Sequence, residues 1–251
     1  MKLRPNRIKQ KLAGGDIACI AVGINNPDDI EHFGQTGFDG LWLEGEHGAP
    51  TPAELGNLSR ACDLAGVTSV MRVNRNDQGL IYRCLDRGVQ GICVPHVNTR
   101  AEAENVVAGG KFAPIGKRGL YIGRQGIGAD DFLADANDQS LLIILIEDIL
   151  AVENLDEILT VDHIDVFFVA FSDLAASMGH IGNPSHPEVQ SVADEAIPHI
   201  QAAGRVAGAT ASNDTVEKYV EAGVRCFLTG VQPWIVAGAE DFCRRAESAR
   251  S

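Results

Sequence analysis

Three short stretches hold carboxylates where they could do chemistry: Leu43-Glu44-Gly45-Glu46-His47-Gly48, Ile146-Glu147-Asp148 and Phe171-Ser172-Asp173-Leu174. Each follows an apolar run that reads as a buried strand. Glu147 and Asp173, offered from neighbouring strand ends, make a minimal site for a hard divalent cation. Such a cation takes oxygen ligands and keeps positions open for water or substrate oxygens. The same spacing allows a reading without a cation. Glu147 would then cap the helix after it and Asp173 a short helix over 174–177, because acids are stabilised at helix N-termini.

His47 sits in a loop beside Glu44 and Glu46. A carboxylate that fixes the imidazole tautomer makes histidine a general acid or base near neutral pH. Without such a partner His47 is a solvated loop residue. Arg72 ends the third apolar run, where its guanidinium could take a substrate carboxylate bidentately or form an ion pair with Glu44, Glu46 or Asp77. Ser172 adjoins Asp173, Thr210 follows the seventh run, and His96, after Val94-Pro95, ranks behind His47 as a catalytic group. His32, His163, His180, His186 and His199 are expected on helices or surface loops.

To bring these residues to one face the chain must alternate strands with helices. The apolar runs predict eight strands, over 17–22, 40–44, 69–72, 91–95, 142–147, 165–170, 205–209 and 225–229. Runs such as Ile143-Ile144-Leu145-Ile146 mark strands buried on both faces. Thr51-Pro52-Ala53-Glu54 offers a capping threonine, a proline for the first helical position and a capping-box glutamate, with Gly66 as the stop. Thr99 opens a helix that stops at Gly109-Gly110, and Ser212-Asn213-Asp214 opens one that ends near Gly223. This alternation predicts the α/β class, a single (β/α)8 TIM barrel over 1–251, with its chemistry at the C-terminal strand ends. Residues 112–140 stand apart, with Pro114, five glycines from Gly116 to Gly128, and Lys117, Arg118 and Arg124. Ordered loops of that length are usually functional. The expectation is a lid or substrate-contacting loop on the active face, or else a surface excursion at a subunit contact.

With 251 residues, 45% of them hydrophobic, the chain can bury one large core. A net charge of −13 argues against nucleic acid and against an anionic membrane surface. It leaves acidic small substrates open, since the local field governs them. No apolar run approaches the ~20 residues of a membrane helix, and the basic start Met1-Lys2-Leu3-Arg4 lacks the apolar core of a secretion signal. Cys19, Cys62, Cys84, Cys93, Cys226 and Cys243 are scattered without a CxxC pair, as expected of reduced thiols in the cytoplasm.

The combined motifs resemble the HpcH/HpaI family of metal-dependent class II pyruvate aldolases, typified by 4-hydroxy-2-oxoheptanedioate aldolase. The pieces are Trp42 to Gly48, Val70-Met71-Arg72-Val73-Asn74, Gly88 to Thr99, Pro114 to Gly119, and Ser172 to His180. The resemblance implies a barrel of the phosphoenolpyruvate/pyruvate-domain type. It implies a homo-oligomer, hexamer or trimer, with exchanged C-terminal helices. It also implies a divalent metal (Mg2+, Mn2+ or Co2+) on Glu147 and Asp173, a 2-oxoacid meeting amides near Ser172 and Asp173, Arg72 stabilising an enolate, and His47 paired with Glu44 moving protons. The reaction implied is cleavage of a 4-hydroxy-2-oxoacid to pyruvate and an aldehyde.

Three departures from the family pattern stand out: Leu145 where glutamine is usual, Ala170-Phe171 where Gly-Pro is usual, and Glu44 for aspartate. An inward Phe171 would fill space left for ligand. Two other reactions suit the same barrel: cleavage of a hydroxyacyl-CoA thioester, for which Lys111, Lys117, Arg118 and Arg124 could form a basic groove, and oxaloacetate decarboxylation. A non-catalytic oxoacid-binding barrel is a further alternative. No lysine falls at an expected strand end, which argues against a Schiff-base aldolase.

Overall fold

The computed structural model describes residues 3–250; Met1, Lys2 and Ser251, at the ends of the expected domain, lie outside the described residues. Eight parallel strands close a barrel in sequence order: β1 (Ala18–Val22), β2 (Gly40–Glu44), β3 (Thr68–Arg72), β4 (Gly91–Val94), β5 (Leu141–Ile146), β6 (Val166–Val169), β7 (Ala207–Thr210) and β8 (Cys226–Gly230). Closure comes from β1 against β8, with Ala18 opposite Cys226 and Val22 opposite Gly230. Every strand lies within two residues of an expected run.

Side chains alternate across a strand, so each residue of the barrel faces either its interior or the surrounding helices. In β5, Leu141, Ile143 and Leu145 point inward and pack with Trp42, Val70, Cys93 and Phe168. Leu142, Ile144 and Ile146 join the outer layer. The next inward position is Glu147. The same count turns Glu44 inward after Trp42, Arg72 after Val70, and Ala170 after Phe168. It also turns Phe171 outward, where its ring lies 5.3 Å from that of Tyr219. The expected inward Phe171 is therefore corrected.

Ile8, on the N-terminal helix Arg7–Ala13, closes the opposite end of the barrel. Some helices begin later than the sequence signals. Thr51 donates from its N–H and hydroxyl to Glu54 Oε2 at 2.9 and 3.0 Å, but this box forms a turn ahead of the helix Leu55–Ala65. Gly66 stops that helix at φ +72°, as expected. Thr99 caps Arg100–Gly110, which runs through both glycines. After Ser212-Asn213-Asp214 the helix is Val216–Glu221.

Residues 112–140 link the end of Arg100–Gly110 to the start of β5, so they lie on the face opposite Glu147. Arg118 reaches Asp86 at 2.7 Å, Arg124 bonds Asp63, and the helix Phe132–Gln139 packs on Phe112. This segment is not a lid over its own chain's active face. Lys111 and Arg118 are buried there, so the expected basic groove is absent from the mouth of the barrel.

Gly208 on β7 shows how tight the interior is. A Cβ there would come within 2.5 Å of Phe168 Cδ2 and 2.8 Å of Val166 Cγ1. Gly208→Ala is expected to cost about 1–3 kcal/mol through overpacking. In urea unfolding the midpoint should fall with the slope unchanged.

Candidate active site and metal centre

The inward residues at the C-terminal strand ends form a charged rim above an apolar floor. Arg72 is clamped there, with Nε donating to Glu44 Oε2 at 2.7 Å and its Nη1 2.9 Å from Glu46 Oε2. Glu44 Oε1 also accepts the backbone N–H groups of Glu46 (2.8 Å) and His47 (3.0 Å), and Oε2 accepts Trp42 Nε1 at 3.0 Å. Burial would raise the Glu44 pKa, but these hydrogen bonds and the guanidinium hold it below the usual carboxylate value. Burial likewise opposes the charge on Arg72, and Glu44 outweighs it and raises the pKa. The turn depends on Gly45, whose N–H donates to Arg72 O at 3.0 Å and whose Cβ, if present, would lie 2.1 Å from Met71 Cε.

Glu147 is almost fully buried. One oxygen, Oε1, accepts the His96 backbone N–H at 2.8 Å; the other, Oε2, has no hydrogen-bond partner. Burial pushes its pKa up to about 7, and the charges of Asp173 and Glu46 add to this against the opposing pull of His96. His96 takes a positive φ of 51°, and its Nδ1 lies 2.9 Å from Asp148 Oδ2 and 3.4 Å from Glu147 Oε1. Its Nε2 is 3.9 Å from Glu46 Oε1. Burial would lower the His96 pKa, but the Asp148 bond and the charges of Glu147 and Glu46 raise it. Asp173 lies in the first turn of Phe171–Ser177, where the cap residue is Ala170 and no side chain caps the helix. Neither Glu147 nor Asp173 serves as a helix cap.

A cavity of about 910 Å³ opens above Trp42, Leu145 and Phe168, with Glu44, Arg72, Ser172 and Asp173 on its wall. The alternation placed each of these but did not reveal how they pair. His47 meets Glu44 only through its backbone N–H; its ring is 69% exposed, and the nearest carboxylate is Glu46, with Oε2 3.7 Å from Nε2. The expected Glu44–His47 side-chain pair is therefore absent. His96, ranked low from sequence, lies in the middle of the acids. The usable signal was its place just past β4, which pairs directly with the strand that leads to Glu147.

His180, His186 and Glu188 form a separate cluster with ligand atoms within 4.8 Å of one another. The two rings stack at 3.6 Å between centroids, so no single point lies in both ring planes as a shared ligand geometry needs. The acids at the rim fit a cation better. A buried carboxylate with one unpaired oxygen, next to Asp173 and Glu46, has an excess of negative charge that a hard divalent ion would neutralise.

The geometry thus defines a (β/α)8 barrel with an acidic, cation-suited rim, one clamped arginine and a roomy cavity. Residues 20–246 match the HpcH/HpaI aldolase/citrate lyase family, and the chain belongs to it. It is 36% identical over 239 residues to a hydroxypyruvate/pyruvate aldolase of Pseudomonas aeruginosa, covering 92% of this chain and 88% of the relative. It is 37% identical over 249 residues to a 4-hydroxy-2-oxo-heptane-1,7-dioate aldolase of Salmonella dublin, covering 96% and 94%. Among solved structures, an HpcH/HpaI aldolase/citrate lyase family protein from Burkholderia cenocepacia J2315 superposes with a TM-score of 0.89 at 26% identity, covering 98% of this chain and 100% of that one.

The Glu147 shift sets a pH dependence. With its pKa raised from 4.5 to about 7, the folded chain keeps a proton that the unfolded chain releases, so the stability tied to this group is full below about 4.5 and lost as pH rises through about 7. The raised pKa of His96 acts in the same direction. In chelator-treated protein, thermal midpoints should fall across that window. Glu147→Gln should flatten the fall, and an unchanged slope in the variant would contradict the assignment.

Proposed function

We propose that this protein is a class II aldolase that cleaves a 4-hydroxy-2-oxoacid to pyruvate, or a close 2-oxoacid, and an aldehyde. The observation that carries this reading is the buried, half-partnered Glu147 beside Asp173, with the clamped Arg72 across the same rim. We assign Glu147 and Asp173 as the metal ligands; Mg2+, Mn2+ and Co2+ all suit their oxygens. Bound there, the ion would supply Lewis-acid charge that favours an enolate.

The remaining roles fall to the chain's own residues. The N–H groups of the first turn, at Ser172 and Asp173, have no intrahelical acceptor and receive the substrate carboxylate. Arg72, held rigid by Glu44 and Glu46, faces the oxygen that gains negative charge as the bond between C3 and C4 breaks. The electron pair of that bond passes to the enolate, and the 4-hydroxyl proton leaves as the aldehyde forms. His47, with Glu46 as its nearest carboxylate, takes that proton at the exposed mouth and exchanges it with water. Protonation at C3 then gives the methyl group of pyruvate.

A thioester substrate is not favoured, since the expected groove residues Lys111, Lys117, Arg118 and Arg124 all lie on the face opposite Glu147, and all but the exposed Lys117 are engaged there. A blocked, non-catalytic barrel is not favoured: Phe171 lies at the cavity edge with its ring against Tyr219, and a cavity of about 910 Å³ stays open beside it. The helix Gln232–Ser248 has no buried residue and exposes Ile235, Val236 and Phe242. We infer that it exchanges between copies in a homo-oligomer, trimer or hexamer. The free thiols and the absence, among the described residues, of a helix long and apolar enough to cross a membrane support a cytoplasmic location.

Proton NMR in heavy water tests the chemistry. Protein given Mg2+ or Mn2+ should exchange the pyruvate methyl protons, chelated protein should not, and Glu147→Ala should lose the exchange. Arg72→Lys should lower the rate by about 10²–10³, the usual effect of removing one stabilising donor. Full cation-dependent exchange in Glu147→Ala would sink the ligand assignment.

A further inference from the structure

At the end of the barrel opposite Glu147 lies a second, much smaller cavity of about 30 Å³. It separates the start of the chain from residues 112–140. Arg4 and Gln90 line one side, Arg118 and Ser140 the other, and Val89 and Phe132 add apolar wall. All of these except Arg4 are buried.

The two guanidiniums on this wall are only partly used. Arg118, its side chain 3% exposed, donates Nη2 to Asp86 Oδ1 at 2.7 Å and lies 4.4 Å over the Phe112 ring. Arg4 spends Nη1 on the carbonyls of Cys62 (3.4 Å) and Val67 (3.3 Å), and Nη2 on Gln90 and Asp63. In both residues Nε is buried and has no acceptor among the described residues. Buried donors left without acceptors are costly and rare.

The charges around the cavity do not balance either. Asp63 is shared between Arg4 and Arg124, and the Arg124 Nε is likewise buried and unpaired. Lys111 is buried one hydrogen bond from the wall: its Nζ donates to the carbonyls of Ser140 and Asn137, each at 2.6 Å, and to no carboxylate among the described residues. Lys9 is paired with Asp165. Five cations thus meet three paired acids in this region, and Asp138, which also acts on Lys111, is exposed to water. Burial pushes the Lys111 pKa down to about 8, and Lys9 and Arg118 add to this against the pull of Asp165 and Asp138.

We infer that this cavity binds a small monovalent anion of chloride size, held between Arg4 and Arg118. The free Nε–H groups are its donors, and hydrogen bonds from a guanidinium to an anion are stronger than those to a neutral acceptor. Water could fill the same space, but it brings no charge to offset the surplus cations. The volume holds only about two water-sized particles, which excludes a nucleotide or a sugar phosphate. Because Arg4 and Arg118 belong to separate parts of the chain, the ion ties the N-terminal segment to residues 112–140 and stabilises the closed end of the barrel. Nothing in this inference depends on the aldolase reading.

The test melts the full-length protein in sodium chloride and in sodium gluconate at matched ionic strength. Gluconate screens charge equally and is too large for the cavity. Chloride should raise Tm saturably, by about 5–10 °C at a hundred times its dissociation constant, and bromide should act in the same way. Arg4→Met should lose most of that increment. Asp63→Asn, which removes the acid shared by Arg4 and Arg124, should bind chloride more tightly than wild type. Crystals soaked in bromide should show an anomalous peak between Arg4 and Arg118. Equal melting in the two salts would overturn the inference and leave water as the occupant. A chloride increment that survives Arg4→Met, or bromide peaks only elsewhere on the protein, would overturn it as well.

Discussion

The site depends on one costly placement: an ionisable carboxyl, Glu147, held almost out of water with one oxygen unpaired. Burying an acid without compensation destabilises a fold and raises the acid's pKa, which is the direction found here. The strain cannot be relieved locally. The preceding strand, β5, is buried on both faces and fixed in register by β4 and β6, so its end cannot rotate outward. Asp173, Glu46 and Asp148 bring further negative charge, while His96 offers only a partial countercharge. An arrangement this acidic is stable when a cation completes it, and it is poorly explained as packing.

Arg72 obeys the opposite rule. It is rigid because two acids hold it, and Glu44 is itself tied to two backbone N–H groups and the Trp42 indole. A guanidinium fixed in this way need not reorganise when charge develops nearby, which is what makes electrostatic stabilisation effective. Glu44 is thus better understood as the brace of Arg72 than as the partner of a histidine. The change from aspartate to glutamate is consistent with that use. The carboxylate reaches Arg72 Nε and the Trp42 ring nitrogen with one oxygen and the turn amides with the other.

The barrel and its rim were legible in the sequence because both follow from simple periods. Continuous apolar runs marked buried parallel strands, and the acids stood where those runs ended. Period two also gives the facing of each residue when the count starts from the strand's own interior positions. An inward Phe171 was considered as a departure from the usual Gly-Pro pair; counted from Val166 and Phe168 it is Ala170 that faces inward, and Phe171 opens the next helix and packs in the outer layer. His96 was underrated for a different reason. Its role comes from a positive φ and a backbone donor aimed at the next strand's carboxylate, neither of which is written in residue type. Residues 112–140 looked like an active-face loop because they are glycine-rich and basic. Their connectivity, from a helix end to a strand start, puts them on the far face, and their arginines pair with Asp86 and Asp63 there.

Leu145 sets the polarity of the floor of the site. A glutamine there would place an amide at the centre of the barrel mouth; the leucine gives an apolar floor shared with Trp42 and Phe168. The polar groups of the site are thereby divided into two separate walls. One holds Glu44, Arg72, Ser172 and Asp173. The other, beyond β7, carries uncharged hydroxyl and amide groups together with a single acid. A low-polarity floor between them strengthens the electrostatics on the charged wall, because less water reaches it. The departure from the family pattern at Leu145 therefore changes the polarity of the floor and leaves the charged rim in place.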